Sequence, residues 1–199
     1  MTRLAPLLAL LAALATTAAP SVADTIEAPA GSLLVAAPEL GDPNFDHTVV
    51  LLLKHDDDGA LGVVINRPYG KAPTDELLRK LGQDPGGVTG QIELFYGGPV
   101  QAEIGMVVHT TDYARATTRP VAKGIAVTSD PAVLADVARG KGPAQAIPVL
   151  GYAGWGPGQL ESEIAQGAWF TLPADPDLIF AADSSQIWAA AYARRGVDL

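Results

Sequence analysis

Short apolar runs, each closed by glycine, proline or aspartate, recur along the chain from residue 31 onward. Residues 32–36 form the first run, and residues 48–53 form a longer one built from β-branched and aliphatic side chains. Continuous apolar runs of this length are typical of strands buried on both faces of a sheet. The aspartate-rich turn at 56–59 leads into residues 61–66, so the second and third runs are predicted to form an antiparallel hairpin.

Further strand patterns alternate with helical spacing of apolar residues in the rest of the chain. Strands are predicted at residues 92–96, 104–109, 124–128, 145–150 and 169–172. Helices are predicted at residues 74–81, 130–140, 159–166 and 183–195, because polar or proline residues open these stretches and glycine or basic residues close them. About eight strands and about four helices, without an internal repeat, predict one α+β domain.

The first residues carry a different pattern, which is typical of an export signal. Arg3 precedes an apolar run at residues 4–15, and Ser21-Val22-Ala23 supplies the small residues of a cleavage site. The run is shorter than the roughly 20 residues that a helix needs to cross a bilayer. We therefore expect a signal peptide at 1–23, a linker at 24–30 and a single domain at 31–199. The alternative to cleavage is retention of the leader as a flexible N-terminal anchor. The expected location is the periplasm, and the cytoplasm is the alternative.

Composition excludes several classes of function. The chain has no cysteine, so it forms no disulfide, thiolate metal site or catalytic thiol. Its 13 basic and 22 acidic residues give a formal net charge of −9. A negative protein repels phosphate backbones and anionic lipid headgroups, so we expect no direct binding to nucleic acid. We also expect no membrane span in the mature chain. Cationic or neutral partners, either small molecules or proteins, are favoured.

A glycine-rich segment at residues 151–161 is the most unusual stretch of the sequence. It follows a predicted strand and opens a predicted helix, which is where phosphate-binding loops present main-chain N–H groups. However, it lacks the Gly-Lys-Ser/Thr of a P-loop, and Glu161 and Glu163 would repel an anion at the helix start. We favour a structural crossover in which Trp155 fills a gap in the core and Gln159 bonds to nearby main-chain groups.

Three histidines and one Asn-Arg pair are the remaining candidates for chemistry. His47, His55 and His109 lie at or beside strand ends, where a metal site or a general base is conceivable, but their spacing favours structural hydrogen bonds. We expect no metal and no cofactor. Asn66 and Arg67 end a buried strand. Arg67 could hold an anionic ligand, and the favoured alternative is an ion pair with Asp75, Glu76 or Glu161.

Four segments, taken together, resemble the bacterial AlgH/YqgE family. They are residues 31–38 with 42–45, residues 59–68, residues 96–100 and residues 151–161. The resemblance implies an α+β domain with a branched β-sheet curled into a partial barrel and about four helices packed outside. Most members of the family look cytoplasmic, and the family name is attached to regulation of alginate production, without an established mechanism or catalytic residues. A site shared by the family would lie near His55, Asn66, Arg67, His109, Trp155 and Gln159.

Three functional hypotheses follow from these observations. The favoured one is a non-enzymatic accessory protein that binds a small ligand or a protein in a groove at the mouth of the partial barrel. The second is an enzyme that uses a His/Arg/Gln cluster as an acid–base site. The third is a regulator of transcription, which the family name suggests and which both the net charge of −9 and the leader disfavour. The oligomeric state is not predicted.

Overall fold

The structure is a computed structural model and describes residues 28–195. Ten strands and five helices make up this part of the chain. In chain order they are β1 (Ser32–Ala36), β2 (Val49–Asp56), β3 (Gly59–Val64), β4 (Pro68–Pro73), α1 (Thr74–Lys80), β5 (Gln91–Tyr96), β6 (Val100–Thr110), β7 (Arg119–Ala122), β8 (Ile125–Thr128), α2 (Ala132–Ala138), β9 (Ala146–Trp155), α3 (Gln159–Ala165), β10 (Trp169–Pro173), α4 (Pro176–Ile179) and α5 (Ser184–Ala193).

The sheet is branched and curled. Its main path runs in the order β10-β1-β2-β3-β9-β6-β8-β7, and β9 also pairs with β5, which carries β4 at the edge of the branch. The ends of the path approach each other, because a Cβ added to Gly31 before β1 would lie 2.6 Å from the Val121 carbonyl oxygen of β7. The α+β class and the branched, half-barrel sheet are therefore confirmed, with five helices in the described residues instead of about four.

Helices cover both faces of the sheet. Val107 and Val108 are neighbours on β6, so their side chains point to opposite faces. Val107 packs in a cluster with Leu78 of α1 and Val133 of α2. Val108 packs in a larger cluster that includes Ile187 of α5. The α1–α2 pair and the α4–α5 pair thus bury different faces of the same strands.

The structure contains strands that the apolar pattern did not predict. β4 and β7 are short edge strands with mostly exposed or half-buried side chains, so neither produces an apolar run. Proline marks both, and edge strands tolerate it because one side of the strand needs no N–H donor. α4 was also missed: it is four residues long, and the Asp175 carboxylate caps it by accepting from the Asp177 N–H at 3.0 Å.

The glycine-rich segment is mostly strand. β9 continues from Ala146 through Trp155, so the prediction that a loop begins at Gly151 is wrong. Gly151 has a φ of 75°, and a Cβ at this position would lie 2.5 Å from the Gly98 carbonyl oxygen. Glycine is needed here because the connection between β5 and β6 approaches β9 closely at Gly98, and this requirement differs from the anion-binding turn that a glycine-rich sequence also suggests.

The predicted signal peptide at 1–23 and most of the linker lie outside the described residues. Between residues 28 and 195, no helix has both the length and the apolar character to cross a membrane.

Candidate functional site

His55 on β2 joins the start of the described chain to α3. Its Nδ1 donates to the Ala28 carbonyl oxygen at 2.7 Å, and its Nε2 lies 2.8 Å from Glu161 Oε1. Burial disfavours the imidazolium, but the hydrogen bonds to Ala28 and Glu161 outweigh this effect and raise the pKa of His55. The pKa of the Glu161 carboxyl is lowered by its own main-chain N–H and by His55. The two side chains therefore form an ion pair when His55 is protonated.

Asn66 and Arg67 fasten the segment that precedes β2. The buried Asn66 side chain accepts from the Val49 N–H at 2.8 Å and donates to the His47 carbonyl at 3.0 Å. Arg67 donates to the main-chain carbonyls of Asn44 at 2.7 Å and Pro43 at 3.0 Å. The expected ion pair between Arg67 and a carboxylate is thus replaced by bonds to main-chain carbonyls. No sequence pattern indicates such partners, because any residue supplies a carbonyl.

His109 lies in the core. Its side chain is fully buried on β6, where Nδ1 donates to the Thr110 carbonyl and Nε2 faces the Thr128 hydroxyl, both at 2.8 Å. Both ring nitrogens are therefore bonded within the fold.

Trp155 and Gln159 converge on one carboxylate, that of Glu163 on α3. The Trp155 and Trp169 indoles each donate to Glu163 Oε2 at 2.8 Å. Gln159 donates to Glu163 Oε1 at 2.9 Å and accepts from the Gly156 N–H at 3.0 Å. Phe45 completes the cluster, with its ring centroid 6.3 Å from that of Trp155. Trp155 thus fills the core, and Gln159 bonds to the main chain as the crossover interpretation expects.

The six candidate residues fall into three groups. His55, Trp155 and Gln159 lie around α3, where His55 pairs with Glu161, and Trp155 and Gln159 bond to Glu163. Asn66 and Arg67 bond to the segment before β2, and His109 on β6 bonds to Thr128 of β8. Each polar side chain among the six thus has hydrogen-bond partners within the fold. The described residues 28–195 contain no group of three or more histidine, aspartate or glutamate side chains able to hold a metal ion.

The sheet has an opening away from these six residues, where β5 separates from β9. These strands run parallel and pair only at Phe95 with Val149 and at Tyr96 with Leu150. The Gly97 N–H donates to the Leu150 carbonyl at 2.7 Å, so even-numbered residues of this part of β9 direct their main-chain groups toward β5. In a parallel ladder, the next bond would run from the N–H of residue 148 to the carbonyl of Glu93. Residue 148 is proline, which has no N–H, and the ladder ends there.

Main-chain groups face the opening on both strands. The Tyr96 N–H donates to the Arg67 carbonyl, so even-numbered residues of β5 face β4 and odd-numbered ones face β9. Gln91 and Glu93 on β5, and Ala146 on β9, therefore direct N–H and C=O groups into the space between the strands. We call this space the β5–β9 cleft. The only sequence signal for it is Pro148 inside a predicted strand, which is unusual for a central strand.

Two cavities border the β5–β9 cleft, and Pro148 lines both. The smaller, of about 250 Å³, lies beside α1 and α2 and is mostly apolar, with Leu77, Leu94, Met106 and Leu134 in its wall. The larger, of about 410 Å³, lies beside α4 and α5. Its polar side chains are Gln91, Glu93, Gln145 and Ser184, and its apolar wall includes Phe95, Ile147, Ile179 and Ile187. The smaller cavity lies on the α1–α2 side of the sheet. The larger one reaches both faces through the opening, because Ile179 and Ile187 from one face and Ile92 and Val137 from the other line it.

Comparison with known proteins identifies the family. The sequence model of the AlgH-like family (DUF179) matches residues 33–199. The chain belongs to the AlgH-like family. A UPF0301 protein of Thioalkalivibrio sulfidiphilus is 43% identical over 166 residues, which cover 83% of this chain and 89% of the relative. A UPF0301 protein of Afipia carboxidovorans is 40% identical over 177 residues, covering 85% and 84% of the two chains.

Two solved structures share the fold of this chain. The solution structure of the AlgH protein from Pseudomonas aeruginosa matches with a TM-score of 0.70 and 39% identity, covering 84% of this chain and 89% of that one. The crystal structure of a protein from Corynebacterium diphtheriae matches with a TM-score of 0.66 at 23% identity, covering 85% and 88%. The names of these relatives state no ligand, reaction or partner.

Proposed function

We propose that this AlgH-like protein is a non-enzymatic binding protein that holds its ligand in the β5–β9 cleft. The observation that carries the proposal is the separation of β5 from β9 at Pro148. Main-chain N–H and C=O groups that face an opening need partners, and a ligand or water supplies them. A concave, mostly apolar site with a few polar groups is the usual form of a ligand site.

Acid–base catalysis by a His/Arg/Gln cluster receives less support. General-base chemistry requires a side chain within hydrogen-bond reach of the substrate. His55 and His109 have both ring nitrogens engaged within the fold, and Arg67 uses both terminal nitrogens on main-chain carbonyls. A ligand would have to break these bonds before such a site could form. A role in regulating transcription by direct contact with DNA is disfavoured by the net charge of −9.

A thermal-shift screen of the full chain against a library of small molecules and short peptides tests the proposal. A ligand at about 100 times its Kd stabilises the folded state by about 2.7 kcal/mol, which raises Tm by several degrees. Ala182 is exposed and lines the larger cavity, so Ala182→Trp is expected to fill it and remove the shift. Ala190→Trp is the matched control, because Ala190 is also exposed but lies on the body of α5.

Two outcomes would contradict the proposal. One is a flat screen. The other is a set of ligands whose shifts persist unchanged in Ala182→Trp, because those ligands would bind elsewhere.

We also propose that the protein is exported and that its binding function is exercised in the periplasm. The support is the order of Arg3, the apolar run at 4–15 and the small residues before Asp24. Mass spectrometry of the protein from fractionated cells tests this. Asp24 as the first residue of the periplasmic form is the expected result, and a soluble cytoplasmic form that retains Met1 or Thr2 would overturn it.

A further inference from the structure

We infer that the occupant of the β5–β9 cleft is an extended peptide segment whose apolar and basic side chains alternate. This inference rests on the proposed function and adds the chemical class of the ligand. It depends on three features of the cleft: the main-chain groups along its two edges, the position of its two cavities and the charge of its wall.

The edges of the cleft are strand edges. Beyond the Phe95–Val149 pair, Gln91 and Glu93 on one side and Ala146 on the other direct main-chain donors and acceptors inward. An extended peptide presents donors and acceptors with the same spacing along its own main chain, which is the basis of binding by strand addition. A compact small molecule cannot match more than a few of these groups.

The two cavities suit the alternation of side chains along a strand. Successive side chains of an extended peptide point to opposite faces of the sheet to which it is added. One face of the cleft opens to the mostly apolar cavity of about 250 Å³, which Leu77, Leu94 and Met106 line together with Glu103 and with Asp130, the partner of Arg115. The other face opens to the cavity of about 410 Å³ that contains Glu93. Alternate peptide residues would therefore meet a mostly apolar wall and a wall whose ionisable residue is Glu93.

The charge of the larger cavity selects a basic side chain on that face. Glu93 is the only ionisable residue that lines it, and no basic side chain between residues 28 and 195 lies within 4.0 Å of the Glu93 carboxylate. Lys71, on the exposed strand β4, is the residue that pairs with Glu93 in register. A lysine or arginine fits because its aliphatic stem can lie along the apolar wall while its head reaches the carboxylate.

Fluorescence polarisation of short labelled peptides with the full chain tests the inference. The probe alternates lysine and valine, and we expect saturable binding that Ala182→Trp weakens and Ala190→Trp does not. Methylation of the peptide nitrogens that would face β5 is expected to weaken binding about tenfold or more, because it removes main-chain hydrogen bonds.

A charge exchange tests the alternation. Glu93→Lys is expected to reverse the preference, so that a peptide of alternating glutamate and valine binds more tightly than the lysine peptide. Glu76→Lys is the matched control, because it makes the same change of net charge at an exposed position on α1. An unchanged preference in Glu93→Lys would overturn the assignment of the basic side chain to Glu93.

A non-peptide cation separates this inference from the proposed function. One informative outcome is that dodecyltrimethylammonium binds, that Ala182→Trp blocks its binding, and that no short peptide binds, including the alternating one. In that case the peptide class is wrong and the binding function stands. Equal binding of the methylated and unmethylated peptides would overturn strand addition, and with it the extended-peptide inference, while the binding function stands. If peptides, dodecyltrimethylammonium and the thermal-shift library all fail to bind, the proposed function also fails.

Discussion

Pro148 on β9 and Glu93 on β5 line the same cleft immediately beyond the last residue pair that joins the two strands. The hydrogen bond that would extend the parallel ladder needs an N–H at residue 148, and proline has none. One side chain thus determines where a central part of the sheet opens. Two cavities border the opening, which is why the proposed binding site lies here.

Replacing Pro148 by alanine is expected to extend the β5–β9 ladder. The new N–H at position 148 can donate to the Glu93 carbonyl, so amide hydrogen exchange at this position should be slow. Binding of the alternating lysine–valine peptide should weaken by about tenfold or more, because the peptide then competes with an internal hydrogen bond. Pro157→Ala, in the exposed turn before α3, is the control. Fast exchange at position 148 would show that proline is not the cause of the separation.

The pair formed by His55 and Glu161 is expected to make stability depend on pH. The pKa of His55 is raised above its ordinary value of 6.5, so its contribution is fully present below pH 6.5 and is lost as the pH rises through the folded-state pKa. The pKa of Glu161 is lowered from 4.5, so its contribution is present above pH 4.5 and is lost as the pH falls through the folded-state pKa. The pair therefore stabilises most between these two values.

Urea unfolding from pH 5 to pH 9 measures this effect. Glu161→Gln should flatten the decline in midpoint above pH 6.5, whereas Glu76→Gln, at an exposed position on α1, should leave it as in the parent chain. The same decline in the parent chain and in Glu161→Gln would show that another group is responsible.

Removal of the Glu163 carboxylate is expected to destabilise the fold. Glu163→Ala leaves the indole N–H groups of Trp155 and Trp169 without their acceptor in a buried cluster, and the expected loss is about 2–4 kcal/mol in the free energy of unfolding. Glu163→Gln should lose less, because its amide oxygen can still accept. Guanidinium unfolding followed by tryptophan fluorescence gives the values. The exposed Glu39→Ala is the control, and an equal effect of the two alanine variants would contradict the role of Glu163.

The Asn66 side chain is expected to be structural. Asn66→Ala leaves the Val49 N–H and the His47 carbonyl without their partner, which should cost about 2–4 kcal/mol. Asn44→Ala should change the free energy of unfolding by less than about 0.5 kcal/mol, because the main-chain carbonyl that receives Arg67 remains. Thermal and chemical unfolding of both variants provides the comparison. A change in ligand binding by Asn66→Ala at unchanged stability would instead indicate a binding residue.

The apolar pattern predicted the central strands and most helices because these elements bury their own side chains. β1, β2, β5 and β8 lie within one to three residues of their predicted bounds. The helix predicted at 130–140 is present but shorter, at Ala132–Ala138, and the Asp130 carboxylate accepts from the Ala132 N–H at 2.9 Å. β4 and β7 gave no such signal, because exposed edge strands obtain their order from the neighbouring strand.

The sequence by itself determined the α+β class, the family resemblance, the negative charge and the lack of thiol chemistry, since these follow from local patterns and composition. Only the tertiary structure decided which side chains meet. Arg67 donates to main-chain carbonyls instead of a carboxylate. Gly151 lies within β9, where Gly98, which is distant in sequence, leaves no room for a Cβ. Pro148 is visible in the sequence. Its effect depends on the fold, because β5, formed by residues 91–96, lies on the side of β9 where the missing Pro148 N–H would have donated.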